Sequence, residues 1–273
     1  MKLLFLGDIM GRAGREAVVK QVPIWRREWN LDGVIVNGEN AVNGKGINRE
    51  TVQKLLAAGV DCITTGNHAF DVKDEISCFE DSPTLLRPLN YLPKTPGRGH
   101  CVFQTARGHK VLVINPIAQL FMPQLVNNPF YAVDELLGQY ILGGNVDAIV
   151  VDFHSEATSE IMAMGWHLNG RVSAVVGTHT HMPTADTMVL DGGTAFQSDL
   201  GMCGDYHSIL GVKKENALQK FLNNYVADKK MEPAAGPATL CGIYLEIDDK
   251  SGKCARAVPV RHGPHLINSL PMA

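Results

Sequence analysis

Short apolar runs, each stopped by a glycine or a polar residue, recur along the chain. Lys2 to Gly7, Gly33 to Asn37, Val60 to Thr65, Asp147 to Phe153 and Val172 to Val176 are rich in branched apolar side chains and lack strict alternation. Runs of this kind predict strands buried on both faces, as in parallel sheets. Helical patterns lie between and after them. Arg15 to Trp29 predicts a helix in which Pro23 implies a kink or two shorter pieces. Arg49 to Ala58 predicts a second, capped by Asn48 and stopped by Gly59. Residues 71–82 read as a short acidic helix, and Ala132 to Leu142, Thr158 to Leu168 and Lys214 to Lys229 as three more. Pro83, Pro88, Pro93 and Pro96 make 83–100 a loop or excursion. Cys101 to Thr105 and Lys110 to Asn115, joined through Arg107-Gly108-His109, read as a hairpin. Thr187 to Leu190 pairs with Thr194 to Gln197 about the turn Asp191-Gly192-Gly193. Leu240 to Ile247 and Ala255 to Val260 form a last strand pair. Residues 117–131 are irregular, Asp199 to Asp205 is a loop, and the tail from His262 is expected to be unstructured. No internal repeat or low-complexity linker divides the chain, which predicts one domain over 1–273.

The bulk numbers narrow the function more than the fold. The 273 residues are 45% hydrophobic and carry a formal net charge of −3, enough to bury a large core. No block of five or more like charges suggests a nucleic-acid groove or a polybasic membrane anchor, so a small substrate fits better than a long polyanion. The apolar start Met1 to Leu6 is too short for a signal peptide, and no window reaches the ~18 apolar residues of a membrane span. Six scattered cysteines without a C-x-x-C pair read as reduced, interior thiols of a cytoplasmic protein.

Candidate chemistry sits at the strand ends. The five apolar runs stop at Asp8, at Glu39-Asn40, at Asn67-His68, at His154, and at His179 with His181. Parallel strands share a carboxyl edge, where sites of α/β proteins form, so these side chains are expected along one rim. His179 and His181 lie two positions apart, and in extended chain residues i and i+2 point the same way. Each residue alone has an ordinary structural explanation: Asp8 could cap the following helix, and His68 could cap a turn after Asn67. Five such coincidences favour a metal site. Histidines, two carboxylates and amide oxygens, without cysteine, suit Mn²⁺, Fe or Zn²⁺. Seven candidate ligands exceed one tetrahedral ion and suggest two ions about 3.5–4 Å apart. Lys45 between Gly44 and Gly46 could hold a phosphate, though a solvated loop is the simpler reading. His100, His109, His167, His262 and His265 lack the strand-end context.

Gly7-Asp8, Gly38-Glu39-Asn40, Gly66-Asn67-His68, His154 and Gly177-Thr178-His179-Thr180-His181 resemble, in order, the motifs of the calcineurin-like metallophosphoesterase superfamily. The likeness spans about residues 1–205. It is closer to the YmdB-like phosphodiesterase subfamily, whose members are reported to act on 2′,3′-cyclic nucleotides; residues 37–46 and 196–204 strengthen it. The broad superfamily has D-x-H where this chain has Asp8-Ile9-Met10, and bridges its metals with an Asp where this chain has Glu39. The subfamily shares both changes.

The resemblance implies an α/β fold of metallophosphoesterase type, a two-sheet β-sandwich flanked by helices (α/β/β/α). It also implies a dinuclear centre. Asp8, Glu39, Asn40 and His181 would hold one ion, and Glu39, Asn67, His154 and His179 the other, with Glu39 bridging. The implied reaction is hydrolysis of a cyclic nucleotide, 2′,3′-cyclic above others, by a metal-activated hydroxide, with His68 as the general acid rather than a ligand. A homo-oligomer is expected. A phosphomonoesterase of nucleotidase type is the alternative enzyme. A metal-bound regulatory protein without turnover is the alternative of another class, kept open by the irregular stretch 117–131.

Overall fold

The computed structural model describes residues 1–223 and 231–271. Its strands in the first half are β1 (Lys2–Leu6), β2 (Asp8–Ile9), β3 (Gly33–Asn37), β4 (Cys62–Thr64), β5 (His100–Gln104) and β6 (Lys110–Ile114). The second half adds β7 (Ala148–His154), β8 (Ala174–Thr178), β9 (Met188–Val189), β10 (Ala195–Gln197), β11 (Met202–Cys203), β12 (Leu240–Ile247) and β13 (Cys254–His262). The helices are α1 (Gly11–Glu28), α2 (Arg49–Ala57), α3 (Cys78–Asp81), α4 (Pro129–Leu137), α5 (Thr158–His167) and α6 (Lys214–Leu222).

Two sheets stack between two helical layers. One has the order β13-β12-β1-β3-β4, the other β5-β6-β7-β8-β10-β9. The apolar runs supply the parallel strands, β1-β3-β4 in one sheet and β6-β7-β8-β10 in the other. Antiparallel strands close the β13, β5 and β9 edges, and β4 is the remaining edge.

Strand alternation decides which layer each side chain joins. Leu3 and Phe5 of β1, Ile35 of β3, Val111 and Val113 of β6, Val150 of β7 and Val176 of β8 point inward and form the core between the sheets. Their neighbours Leu4, Leu6, Val34 and Val36 point outward against Val18, Val22 and Trp25 of α1 and Leu55 of α2. On the other side Ile149, Val151, Phe153 and Val175 meet Val133 of α4 and Ile161 of α5. Burial of both faces explains why these strands read as unbroken apolar runs. Each fully buried side chain of this size contributes about 1.5–3 kcal/mol.

Several expectations need correction. The helix from Arg15 begins at Gly11 and runs through Pro23 as one element. The acidic helix over 71–82 is instead a 3₁₀ turn at Lys73–Glu75 and the four residues of α3. Its polar groups serve α2: Glu75 accepts from the Arg49 backbone N–H (3.1 Å), and Asp81 and Ser77 accept from the Arg49 guanidinium. Within the expected loop 199–205, Met202–Cys203 pairs in parallel with Asp8–Ile9. The tail after His262 returns to the sheet, with Arg261 bridged to Ser269 and Leu270 packed on the α1 side of the core. His262 lies edge-on to Trp25. The expected helix to Lys229 is seen as Lys214–Leu222, and 224–230 lie outside the described residues. All six cysteines are buried and free, as expected. Among the described residues no helix is long and apolar enough to cross a membrane.

Candidate metal centre

At the top of the sandwich the inward face turns polar. Near the ends of four strands the inward positions are Asn37, Thr64, Asp152 and Thr178, all fully buried. They form one cluster around Asp152. Its carboxylate accepts from Asn37 Nδ2 (3.1 Å), from Thr178 Oγ1 (2.7 Å) and from Thr64 Oγ1. This polar plug sits directly below the strand-end residues. Burial pushes the Asp152 carboxyl up, against the hydrogen bonds that favour its charge.

Above the plug, both sheets deliver candidate ligands to one place. Among the described residues, Glu39, His154 and His179 offer ligand atoms that all lie within 4.8 Å of one another. His154 Nε2 is 2.9 Å from Asn67 Oδ1, 3.2 Å from Glu39 Oε1 and 3.1 Å from His179 Nδ1. On the other flank, His181 Nε2 is 3.0 Å from Asn40 Nδ2, which is 3.1 Å from Glu39 Oε1. Asp8 reaches the group through Oδ2, which accepts from the His179 backbone N–H (3.2 Å). Its Oδ1 is buried without a partner. Asp8 therefore does not cap α1, whose N-terminus has no side-chain cap.

Each imidazole is turned by an outer acceptor. His154 Nδ1 donates to Thr178 Oγ1 (2.9 Å), whose own proton goes to Asp152. His181 Nδ1 donates to the Leu210 carbonyl (3.0 Å), and His179 Nε2 faces Glu156 Oε2 (3.1 Å). The opposite nitrogen of each ring is thereby aimed inward. The centre thus collects three imidazole nitrogens, two carboxylates and an amide oxygen, with few donors to satisfy them. An acceptor-rich, buried cluster of this kind fits a transition-metal cation. Its titration follows the same logic. Burial lowers the His154 pKa, yet the Glu39 carboxylate outweighs it and raises His154 to about 9. Burial raises Glu39, yet His154 brings it down to about 2. Burial and the His154 charge hold His179 down at about 3, and burial also lowers His181 and raises Asp8. The pull of the Glu39 carboxylate on His154 belongs to a cluster that calls for positive charge.

Gly66 lets the backbone pass close against these side chains. A Cβ there would lie 2.2 Å from the His154 ring and 2.3 Å from Glu39 Oε2. Asn40 presents its amide nitrogen to His181 and Glu39; a half-turn of the amide presents the oxygen instead.

His68 stands beside the cluster. Its backbone N–H donates to Glu39 Oε2 (3.3 Å), and its Nδ1 lies 2.8 Å from Asp71 Oδ2. It lines a cavity of about 530 Å³ together with Glu39, Asn40, Lys45, His179 and His181.

The structure brings Asp8, Glu39, Asn40, Asn67, His154, His179 and His181 to one rim, but two premises change. The rim belongs to two facing sheets, as the family resemblance implied, rather than to the one open sheet of the strand-end argument. His179 and His181 do not converge by strand alternation: β8 ends at Thr178, and their φ angles are +118° and +66°. Backbone turns in a region costly for non-glycine residues aim the two rings. Sequence reasoning passed over Asp152, Asn37, Thr178 and Glu156. The signal was present for Asp152, which lies two positions before His154 on the same strand face.

The YmdB-like protein family matches residues 4–260 of the chain. The chain belongs to that family. It is 40% identical over 256 residues to the 2′,3′-cyclic-nucleotide 2′-phosphodiesterase of Bacillus subtilis (strain 168), covering 94% of this chain and 95% of the relative. Two solved structures resemble it along their length. One is a hypothetical protein from Thermus thermophilus, at TM-score 0.88 and 39% identity, covering 96% of this chain and 99% of the other. The second is described as a novel phosphatase from Mycoplasma pneumoniae, at TM-score 0.88 and 31% identity, covering 100% and 95%. Both solved structures share this two-sheet architecture over nearly the whole chain.

Proposed function

We propose that the chain is a phosphodiesterase that opens 2′,3′-cyclic nucleotides at a two-cation centre held by Asp8, Glu39, Asn40, Asn67, His154, His179 and His181. The observation that carries this reading is the convergence of inward-aimed imidazole nitrogens with Glu39, Asn67 and the unpartnered Asp8 Oδ1. Divalent ions of the Mn, Fe or Zn class seated there would act as Lewis acids and lower the pKa of a bound water from ~15.7 toward ~7.

The chain's own residues do the rest. Glu39 stands between the His154 flank and the Asn40–His181 flank, within 3.2 Å of each, so its carboxylate serves both ion positions. The plug of Asn37, Thr64, Asp152 and Thr178 fixes the ring of His154. His68 faces the cavity beside Glu39. With Nδ1 donating to Asp71, its Nε2 proton can pass to the ribose oxygen that leaves phosphorus, and the hydrogen bond to Asp71 sets the direction of the ring. A positioned acid of this kind typically contributes about 10²–10⁴-fold.

The test is turnover on a panel with Mn²⁺ added and metal content measured in parallel. The reading expects 2′,3′-cyclic AMP to open to a single monophosphate product, and bis-p-nitrophenyl phosphate to be cleaved faster than p-nitrophenyl phosphate. Faster cleavage of the monoester would make the chain a phosphomonoesterase. Bound metal with no turnover on any phosphoester would leave a regulatory protein.

A further inference from the structure

A second cavity of about 360 Å³ opens beside the centre. It is lined by Asn67, Phe70, Asp71, Tyr91, Leu92, Thr95, Gln124 and Leu125. Asn67 is shared between this cavity and the cluster, since its Oδ1 contacts His154 Nε2. His68 faces the metal cavity while its hydrogen-bond partner Asp71 faces the second one. The two spaces therefore adjoin across the His68–Asp71 pair.

The walls suit a flat, aromatic group. Phe70 and Tyr91 lie ring to ring, 6.0 Å apart and tilted by 47°, and Tyr91 is fixed by its hydroxyl donating to the Gly66 carbonyl (3.2 Å). Opposite them Leu125 is 80% exposed, an apolar side chain at the mouth with nothing covering it. The volume is at the small end of the ~300–1,000 Å³ found for pockets that bury a small organic ligand. The Asp71 carboxylate is an acceptor on its wall, 40% exposed and engaged by His68 through Oδ2. Gln124 is tied to the same wall, its Nε2 donating to the Asn67 carbonyl (3.1 Å).

We propose that this cavity is the nucleobase subsite, with the base seated between Tyr91 and Leu125 and its amino group directed to the Asp71 carboxylate. The inference rests on the phosphodiesterase reading above. It favours bases that carry an exocyclic amine over uracil, whose corresponding position is a carbonyl oxygen.

The experiment compares kcat/KM for 2′,3′-cyclic AMP, 2′,3′-cyclic UMP and ribose 2,3-cyclic phosphate, which lacks a base. The wild type is expected to prefer cyclic AMP to the base-free ester by about tenfold or more, the order of one stacking contact, and cyclic AMP to cyclic UMP. Leu125→Ser and Tyr91→Leu should each reduce the first preference severalfold, mainly through KM. Leu125 is exposed, so its replacement tests the cavity without endangering the fold. Lys45→Ala, on the far side of the metal cavity, should move both substrates together. Equal wild-type rates on the two esters, or a preference that Lys45→Ala removes and Leu125→Ser does not, would overturn the assignment. No turnover of any cyclic ester by the wild type would instead overturn the phosphodiesterase reading, and this inference with it.

Discussion

The two sheets bring unlike donors to the same rim. The strand ends of the five-stranded sheet supply carboxylates and amides: Asp8, Glu39, Asn40 and Asn67. Those of the six-stranded sheet supply imidazoles: His154, His179 and His181. Neither half alone offers the mixed oxygen and nitrogen set that a cation of the Mn, Fe or Zn class takes. The meeting is across the seam, as in the 3.2 Å approach of Glu39 to His154. Packing of the sheets is thus a condition of function, because it sets the distance between the two donor sets. The acids lie on one side and the imidazoles on the other, so a cation at the seam would tie the sheets together.

Breaking the oxygen side should cost most. Glu39→Gln removes the carboxylate that both flanks share, and turnover of 2′,3′-cyclic AMP should fall by about 10³-fold or more, with metal content dropping in elemental analysis. Next comes His68→Ala, which touches neither set of donors. Turnover should fall by about 10²-fold or more while both metals stay bound; unchanged turnover would reject His68 as the acid. On the imidazole side, Asp152→Asn leaves every candidate ligand in place and disturbs only the support of His154. A loss of about 10–100-fold in metal affinity or rate is expected, as for outer-shell partners in general, and titration of stripped protein with Mn²⁺ would read it. The smallest effect on rate should come from Phe5→Ala, one turn of the pleat below the rim. It costs about 3–5 kcal/mol of stability, measurable by denaturant unfolding, yet leaves kcat of the folded fraction closest to wild type.

Much of this arrangement was legible in the sequence because the parallel strands are buried on both faces. Such strands appear as apolar runs, and their ends stand out when the next residue is Asp8, Glu39 or His154. What the runs could not reveal is sheet membership. β1, β3 and β4 look the same in sequence as β6, β7 and β8, so the division into two sheets came from the family resemblance and not from the pattern. Pairings as short as Asp8–Ile9 with Met202–Cys203 leave no periodic trace. Nor does local pattern foretell positive φ at His179 and His181, which the surrounding fold imposes. Residues 71–82 have helical character, but Glu75 and Asp81 are engaged by Arg49, a long-range contact that overrides propensity. Asp152 was hidden for another reason: inside a buried strand it reads as an isolated polar residue until Asn37, Thr64 and Thr178 surround it.

Counting ions tests the two-sided cradle most directly. Protein stripped with chelator and titrated with Mn²⁺ should bind two ions per chain and recover 2′,3′-cyclic AMP hydrolysis as they bind, while Glu39→Gln treated identically should hold fewer and stay inactive. Full activity in the stripped protein, or two ions retained at undiminished rate by Glu39→Gln, would contradict a centre assembled across the seam between the sheets.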